Sequence, residues 1–359
     1  MNNQINNYIA LGTMSGSSLD GLDIAAVEFN QTNDKIIHVV LATSCFRYPT
    51  EWEVRLAAVR DLSAIDLLKT SIDYAKWNAT CISNFIKTNE LKQLGLVVSH
   101  GHTVYHQPSQ GFTLQIGDGQ TLATTLQLPV VANLRAKDVA HGGQGAPIVP
   151  IADRLLFAEY AACLNLGGIA NITFKQGAFY KAYDICAANQ VLNFIANKAG
   201  KAYDDSGIIA RSGSMLPSVL NDFVKLEYHH RLAPKSLANE WIYEYIIQKI
   251  NTTQYTVPDL LHTFTNAIAT LIAREINENI NNEERVLATG GGAFNTYLIE
   301  CLQAKTTRRI VVPDATTINY KEAIAMALIG TMRWHGQANV LASATGARSD
   351  TTCGDIYLP

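Results

Sequence analysis

Apolar and polar positions near the start of the chain follow strand spacing. Tyr8 to Met14 reads as one strand, Ile24 to Phe29 as a second and Lys35 to Phe46 as a third, with Gln31 to Asp34 as the turn before it. From Ser63 to Lys87 the spacing becomes helical, with Ile65, Leu68, Ile72, Ala75, Ile82 and Phe85 at the recurring positions. This predicted helix feeds a buried strand, Leu94 to Ser99. Two further strands, Thr113 to Ile116 and Pro129 to Asn133, flank a short helix around Leu122 to Leu126. The polar, Gly-rich run Arg135 to Gly145 interrupts the pattern and is the expected lobe boundary.

The second half opens on the same plan: strand Cys163 to Leu166, a Gly-Gly turn, strand Ile169 to Phe174. A long helical region, Glu240 to Asn279, precedes strand Arg285 to Thr289, a Gly-Gly-Gly turn and a helix from Asn295. Strand Arg309 to Val312 and helix Lys321 to Trp334 close the pattern. The duplication is one of plan and hardly at all of sequence. It predicts an N-terminal lobe, 1–134, completed by the tail 340–359, and a C-terminal lobe, 135–339.

Composition narrows the function classes. A chain of 359 residues, 48% hydrophobic, is long enough for two α/β lobes. Its net charge of -3, with basic residues dispersed, gives no footprint for nucleic acid or an anionic membrane. Met1 to Tyr8 is polar and Asn-rich, unlike a secretory signal, and no apolar run approaches the length of a membrane span, so the expected location is the cytoplasm. Six cysteines without a CxxC pair read as reduced thiols.

Three glycine loops carry the candidate chemistry. In Gly12-Thr13-Met14-Ser15-Gly16-Ser17-Ser18-Leu19-Asp20-Gly21, small residues leave backbone N–H groups open to phosphate oxygens, and Asp20 suits a magnesium ion, directly or through water. An ordinary tight hairpin would also account for this loop. Gly167-Gly168 repeats the strand–turn–strand setting in the second half. Gly290-Gly291-Gly292 lies between a buried strand and a helix, where a flat base or ribose can approach the backbone. The spacing is not GxGxxG, and no Walker A sequence occurs, which disfavours a Rossmann dehydrogenase or a P-loop enzyme.

Asp184, in Tyr183-Asp184-Ile185-Cys186-Ala187-Ala188-Asn189, reads as a carboxylate at a strand end just before a helix, fit for proton transfer or for a helix cap. His100, His102 and His106 invite a metal reading, with His100 and His102 on one strand face, yet a polar strand end suits sugar hydroxyls equally. The dense polar loop containing Arg135, Asp138 and His141 to Pro147 is costly to order unless it binds or packs.

Taken in order, GTMSGSSLDGLD, SHGHTVYHQP, GGQGAP, NLGGIAN, DICAAN, DDSG, ATGGGAFN and KEAIAMA resemble the motif series of the anhydro-N-acetylmuramic acid kinases, over nearly the full chain. The resemblance implies an α/β, two-lobed actin-like ATPase fold, with duplicated ribonuclease H-like lobes and an interlobe active-site cleft. It implies ATP and magnesium as cofactors, a sugar substrate and a homodimer. It implies coupled hydrolytic opening and O6 phosphorylation of 1,6-anhydro-N-acetylmuramic acid in cell-wall recycling. By the same matching Asp184 is the general base. Gly12, Thr13, Ser15, Gly16, Ser17, Ser18, Asp20, Gly167 and Gly168 cradle phosphates, and Gly290, Gly291 and Gly292 face adenosine. His100, Thr103, Arg135, Asp138 and Glu322 serve the sugar.

The chain departs from the family where SHGQT carries His102, where DFR becomes Asn133-Leu134-Arg135, and where Ile185 to Ala188 replace a DTGPxN-like stretch. A sugar or polyol kinase without hydrolysis, a nucleotide-gated sugar-binding protein and a metal-dependent hydrolase built on the histidines are the alternative readings.

Overall fold

The computed structural model describes residues 4–16, 19–32, 35–177, 179–233 and 235–359. By the density of contacts within the chain it divides into two units, residues 1–157 with 320–359, and residues 158–319.

The first unit is built on an antiparallel meander, Tyr8–Ser15 (β1), Leu22–Thr32 (β2) and Lys35–Phe46 (β3). Leu96–Ser99 (β4) then joins β1 in parallel. His102–Gln107 (β5) and Phe112–Ile116 (β6) form a separate hairpin. Val130–Ala132 (β7) lies parallel to β4, and the C-terminal strand Asp355–Tyr357 closes the edge antiparallel to β7. β1 and β4 are almost wholly buried, as central strands covered on both faces are.

Helix Ala64–Thr88 packs on this sheet. Ser63 caps it, its Oγ accepting from the Asp66 amide and donating to the Asp66 carboxylate. Its buried face runs through Tyr74, Ala75, Asn78, Ala79, Ile82 and Phe85. Ile65, Leu68 and Ile72, which helped mark the helical spacing, lie 66%, 67% and 40% exposed: they form a separate stripe to one side of the buried one.

The second unit repeats the meander with Ala162–Leu166 (β8), Ile169–Gln176 (β9) and Phe179–Ala187 (β10). Arg285–Thr289 (β11) pairs in parallel with β8, and Arg309–Val311 (β12) with β11. The sheet orders are therefore β3-β2-β1-β4-β7 and β10-β9-β8-β11-β12, the same order with the same strand directions. Its core gathers around helix Val257–Asn279.

The helical region expected from Glu240 to Asn279 is not continuous. Helix Asn239–Tyr245 ends in a short helical turn, and a new helix begins at Val257. Thr256 Oγ1 caps it by accepting the Asp259 amide, and Pro258, which has no N–H to give, sits in its first turn.

The unit boundaries also differ from the expected 134/135 and 339/340. Arg135 bonds His100, Asp138 bonds Thr345, and helix Pro150–Leu156 packs on β3, so residues 135–157 belong with the first sheet. Helix Ala315–Trp334 carries residues 320–339 with it: its Ala323 and Ala327 lie against Gly12 of β1. The polar loop after β7 is a bracket of the first unit, pinned by the buried Asp138.

Candidate active site

The first glycine-rich loop begins later than its motif suggests. Gly12, Thr13 and Ser15 are all inside β1. Gly12 lacks a Cβ because one would sit 2.1 Å from the Ala323 carbonyl, and Thr13 is buried with its hydroxyl on Val98 O. Ser15 Oγ accepts from Tyr48 OH at 2.7 Å and meets His102 Nδ1 at 2.9 Å. Gly16 is half-buried at the end of the strand and Asp20 is exposed, while Ser17 and Ser18 lie outside the described residues.

Asp23, one pair further along the hairpin and opposite Met14, went unmarked in the sequence although it stands in the same motif. Burial pushes its carboxyl up to about 6, and the charges of Asp20 and Glu322 add to the push. Glu322 is exposed by its accessible area, yet protein atoms crowd closely around it. That crowding raises its pKa, against the pull of Arg135 and Lys321 and with Asp20 adding to the rise. Such a concentration of like charge suits a divalent cation held by one or two carboxylates and its own waters. Among the described residues no group of three or more His, Cys, Asp or Glu side chains makes a metal cage.

A recess of about 370 Å³ opens in the first unit between the end of β1, the turn Val59–Asp61 and the β4–β5 junction. Gly101 at φ 74° turns the chain sharply there, so His100 and His102 do not share a strand face. Arg135 Nε donates to His100 Nε2 at 2.8 Å, so the His100 proton sits on Nδ1, which donates to Gly101 O. Burial, with the Arg135 charge beside it, lowers the His100 pKa to about 3. His100 is a neutral strut that fixes the Arg135 guanidinium, whose Nη1 donates to Gly145 O.

Thr103 lines the recess, half-buried. Asp138 does not: it is fully buried, and its two carboxylate oxygens accept from the Gly145 amide and from Thr345 Oγ1. It therefore shapes the glycine loop from behind.

In the second unit Asp184 lies within β10, three residues before the strand ends at Ala187. A β-bulge at Ile185 shifts the register between Asp184 and Cys186. A bulge re-aims the side chains beside it. Leu237 N–H (2.8 Å) and Ser236 Oγ–H (3.1 Å) both donate to Asp184 Oδ2. Oδ1 makes no hydrogen bond with a described residue. Burial pushes the carboxyl up, and those two donors pull it back.

The loop that clamps Asp184 is itself anchored. Lys235 Nζ lies 3.7 Å from Glu275 Oε1 and over the rings of Tyr183 and Tyr228, while Tyr183 OH donates to Glu275 Oε2. Tyr228 OH donates to the Asp184 carbonyl. Apart from Tyr183, the neighbour of Asp184 in sequence, none of these residues carries a motif; Tyr228, Ser236 and Leu237 lie 44, 52 and 53 residues from Asp184, and only the fold brings them together.

The carbonyls of Gly167 and Gly168 accept from the amides of Asn189 and of Ala188 and Gln190, which ties the hairpin turn to the helix after Asp184. In the third loop, Gly290 at φ 81° and Gly292 are pressed against Asn165 and Leu166, while Gly291 alone of the three meets nothing within 4 Å. The DDSG motif buttresses this loop: Asp204 caps helix Ile208–Ser212 through the amides of Ile209 and Ala210, and Gly207 fits under Asn295.

Two sheets of one strand order, each opening on a glycine-turned hairpin, give the chain the duplicated α/β fold of the actin-like class. Within it, the chain belongs to the anhydro-N-acetylmuramic acid kinase family, whose model matches residues 7–359.

Relatives of that name include proteins of Sulfurimonas denitrificans, 31% identical over 97% of this chain and 98% of its own, and Aliivibrio fischeri, 32% identical over 97% and 98%. Another, from Gloeobacter violaceus, is 32% identical over the same shares. Among solved structures, a ROK hexokinase of Thermus thermophilus aligns over 89% of this chain and 97% of its own at 11% identity and a TM-score of 0.40, too distant to add to the strand order.

Proposed function

We propose that this ATP-dependent sugar kinase adds water to C1 of 1,6-anhydro-N-acetylmuramic acid and the γ-phosphoryl group of ATP to O6, giving N-acetylmuramic acid 6-phosphate and ADP. Family membership across residues 7–359 supports the substrate class. The observation that carries the mechanism is the Asp184 carboxylate, with Oδ2 held by two donors and Oδ1 open.

In this reading Asp184 Oδ1 takes a proton from water as the water oxygen bonds to C1. The C1–O6 bond breaks, and O6 takes the phosphoryl group as the bond to ADP breaks. The proton then passes to solvent, so one water and one ATP are consumed per sugar opened. Burial raises the pKa of Asp184, so the rate should rise with pH through an apparent pKa above the ordinary carboxylate range.

Magnesium would neutralise phosphate charge, with Asp20 holding it through water. Gly16 with the following serines and the Gly167-Gly168 turn would cradle phosphates, and Gly291 would face adenosine. Thr103 and the Arg135–His100 pair would hold the sugar, with Asp138 setting the loop behind them and Glu322 close to Arg135 and Asp20. A homodimer and a cytoplasmic location complete the proposal. Among the described residues, no helix is long and apolar enough to cross a membrane.

The test is mass spectrometry of the product made with ATP and magnesium in oxygen-18 water. We expect one heavy oxygen at the anomeric position, beyond spontaneous exchange, and loss of turnover in Asp184→Asn. A phosphorylated sugar without that label at early times would replace coupled hydrolysis with simple phosphoryl transfer.

A further inference from the structure

The recess in the first unit has an unusual charge balance for a sugar site. Two arginines, Arg60 and Arg135, line it, and among the described residues no Asp or Glu does. Both cations are felt inside it: after burial, Arg60 is the cause that holds the His102 pKa down, as Arg135 is for His100.

The two differ in what they have left to offer. Arg135 is committed through Nε and Nη1 to His100 and Gly145. Arg60, exposed on the short turn Val59–Asp61, is pinned twice, its Nε donating to Val104 O at 3.0 Å and its own carbonyl accepting from Tyr105 OH at 2.8 Å. Its Nη1 and Nη2 make no hydrogen bond or ion pair with a described residue. A guanidinium oriented by its Nε, with its two outer nitrogens open, is set to take a carboxylate with two parallel hydrogen bonds. Leu56, Val59 and Leu19 supply an apolar wall beside it.

Muramic acid differs from glucosamine by a lactyl ether on O3, which brings one carboxylate and one methyl group. We propose that this recess receives the lactyl arm and that Arg60, through Nη1 and Nη2, is the residue that selects an acidic anhydro-sugar over a neutral one. The proposal rests on the substrate reading above and assigns the part of the site that sets its specificity.

The experiment compares kcat/KM for 1,6-anhydro-N-acetylmuramic acid and 1,6-anhydro-N-acetylglucosamine in the wild type, Arg60→Gln and Arg60→Lys. The preference for the acidic sugar should fall roughly tenfold or more in Arg60→Gln and by less in Arg60→Lys, which keeps the charge but not the fork. Added salt should erode the wild-type preference more than that of Arg60→Gln.

Equal losses on both sugars, or no loss on either, would overturn it. Should Arg60→Gln fail to fold, Arg60→Lys carries the same comparison with a smaller drop. If the wild type phosphorylates neither sugar, the substrate reading fails separately. Calorimetric binding of the two sugars then decides Arg60: a preference for the acidic sugar that Arg60→Gln abolishes supports it, and any other result sinks it.

Discussion

His100 shows how a residue can match a site motif and still do its work behind the surface. It is 2% exposed, with both ring nitrogens engaged, so it stays neutral in the fold down to about pH 3. In the unfolded chain it takes a proton near its ordinary pKa of about 6.5. Its contribution to stability is therefore full above that pH and lost as pH falls toward the folded value, by about 1.4 kcal/mol per pH unit.

His229, buried and lowered to about 4, acts with the same sign. The raised carboxyls Asp23, Asp184 and Glu322 act with the opposite sign, because the folded state takes their protons first. Comparison with a variant cancels those terms: His100→Asn should flatten the fall in urea midpoint between about pH 6.5 and pH 4. An unchanged slope would mean that His100 is protonated in the fold.

At the scale of elements, the glycines separate into those where a neighbour fills the place of a Cβ and those with open space there. Gly12 belongs to the first kind, since helix Ala315–Trp334 crosses β1 where a Cβ would strike Ala323 O and Ala327 N. Gly12→Ala should cost about 1–3 kcal/mol through overpacking, read as a lower urea midpoint. Gly291, with open space where its Cβ would lie, should accept alanine within about 0.5 kcal/mol while nucleotide binding weakens. A stable Gly12→Ala, or a Gly291→Ala that binds ATP unchanged, would reverse these assignments.

This distinction was not legible in the motifs, where Gly12 and Gly16 stand four residues apart in one run of small side chains. Both hairpins and the long helix from Ala64 were legible, because strand alternation and helical spacing are written locally. The break before Val257 was written there too, in Thr256 and Pro258, but helical spacing on either side masked it.

For the molecule as a whole, the first unit is assembled from the two ends of the chain. Asp355–Tyr357 pairs with β7, and Asn339 Oδ1 accepts the Cys353 amide while its Nδ2 donates to Ile329 O and Cys353 O. A chain ending at Ser349 would expose the β7 edge and leave the buried Asn339 without two of its partners. Buried polar groups stripped of partners cost about 1–3 kcal/mol each. We expect little folded protein from that truncation; a full yield with native circular dichroism would show the terminal strand to be dispensable. The second unit has its own apolar cluster around helix Val257–Asn279.

The sequence alone determined the two-fold plan, the places of the three glycine loops and the family, because each is carried by residues adjacent or periodic along the chain. Tertiary structure decided which of the motif residues are packed inside and which stay open. It turned Gly12, Thr13 and Asp138 inward, set His100 behind Arg135, clamped Asp184 with Ser236 and Leu237, and left the outer nitrogens of Arg60 open. Those outcomes depend on distances between residues remote in sequence, and spacing along a chain does not encode them.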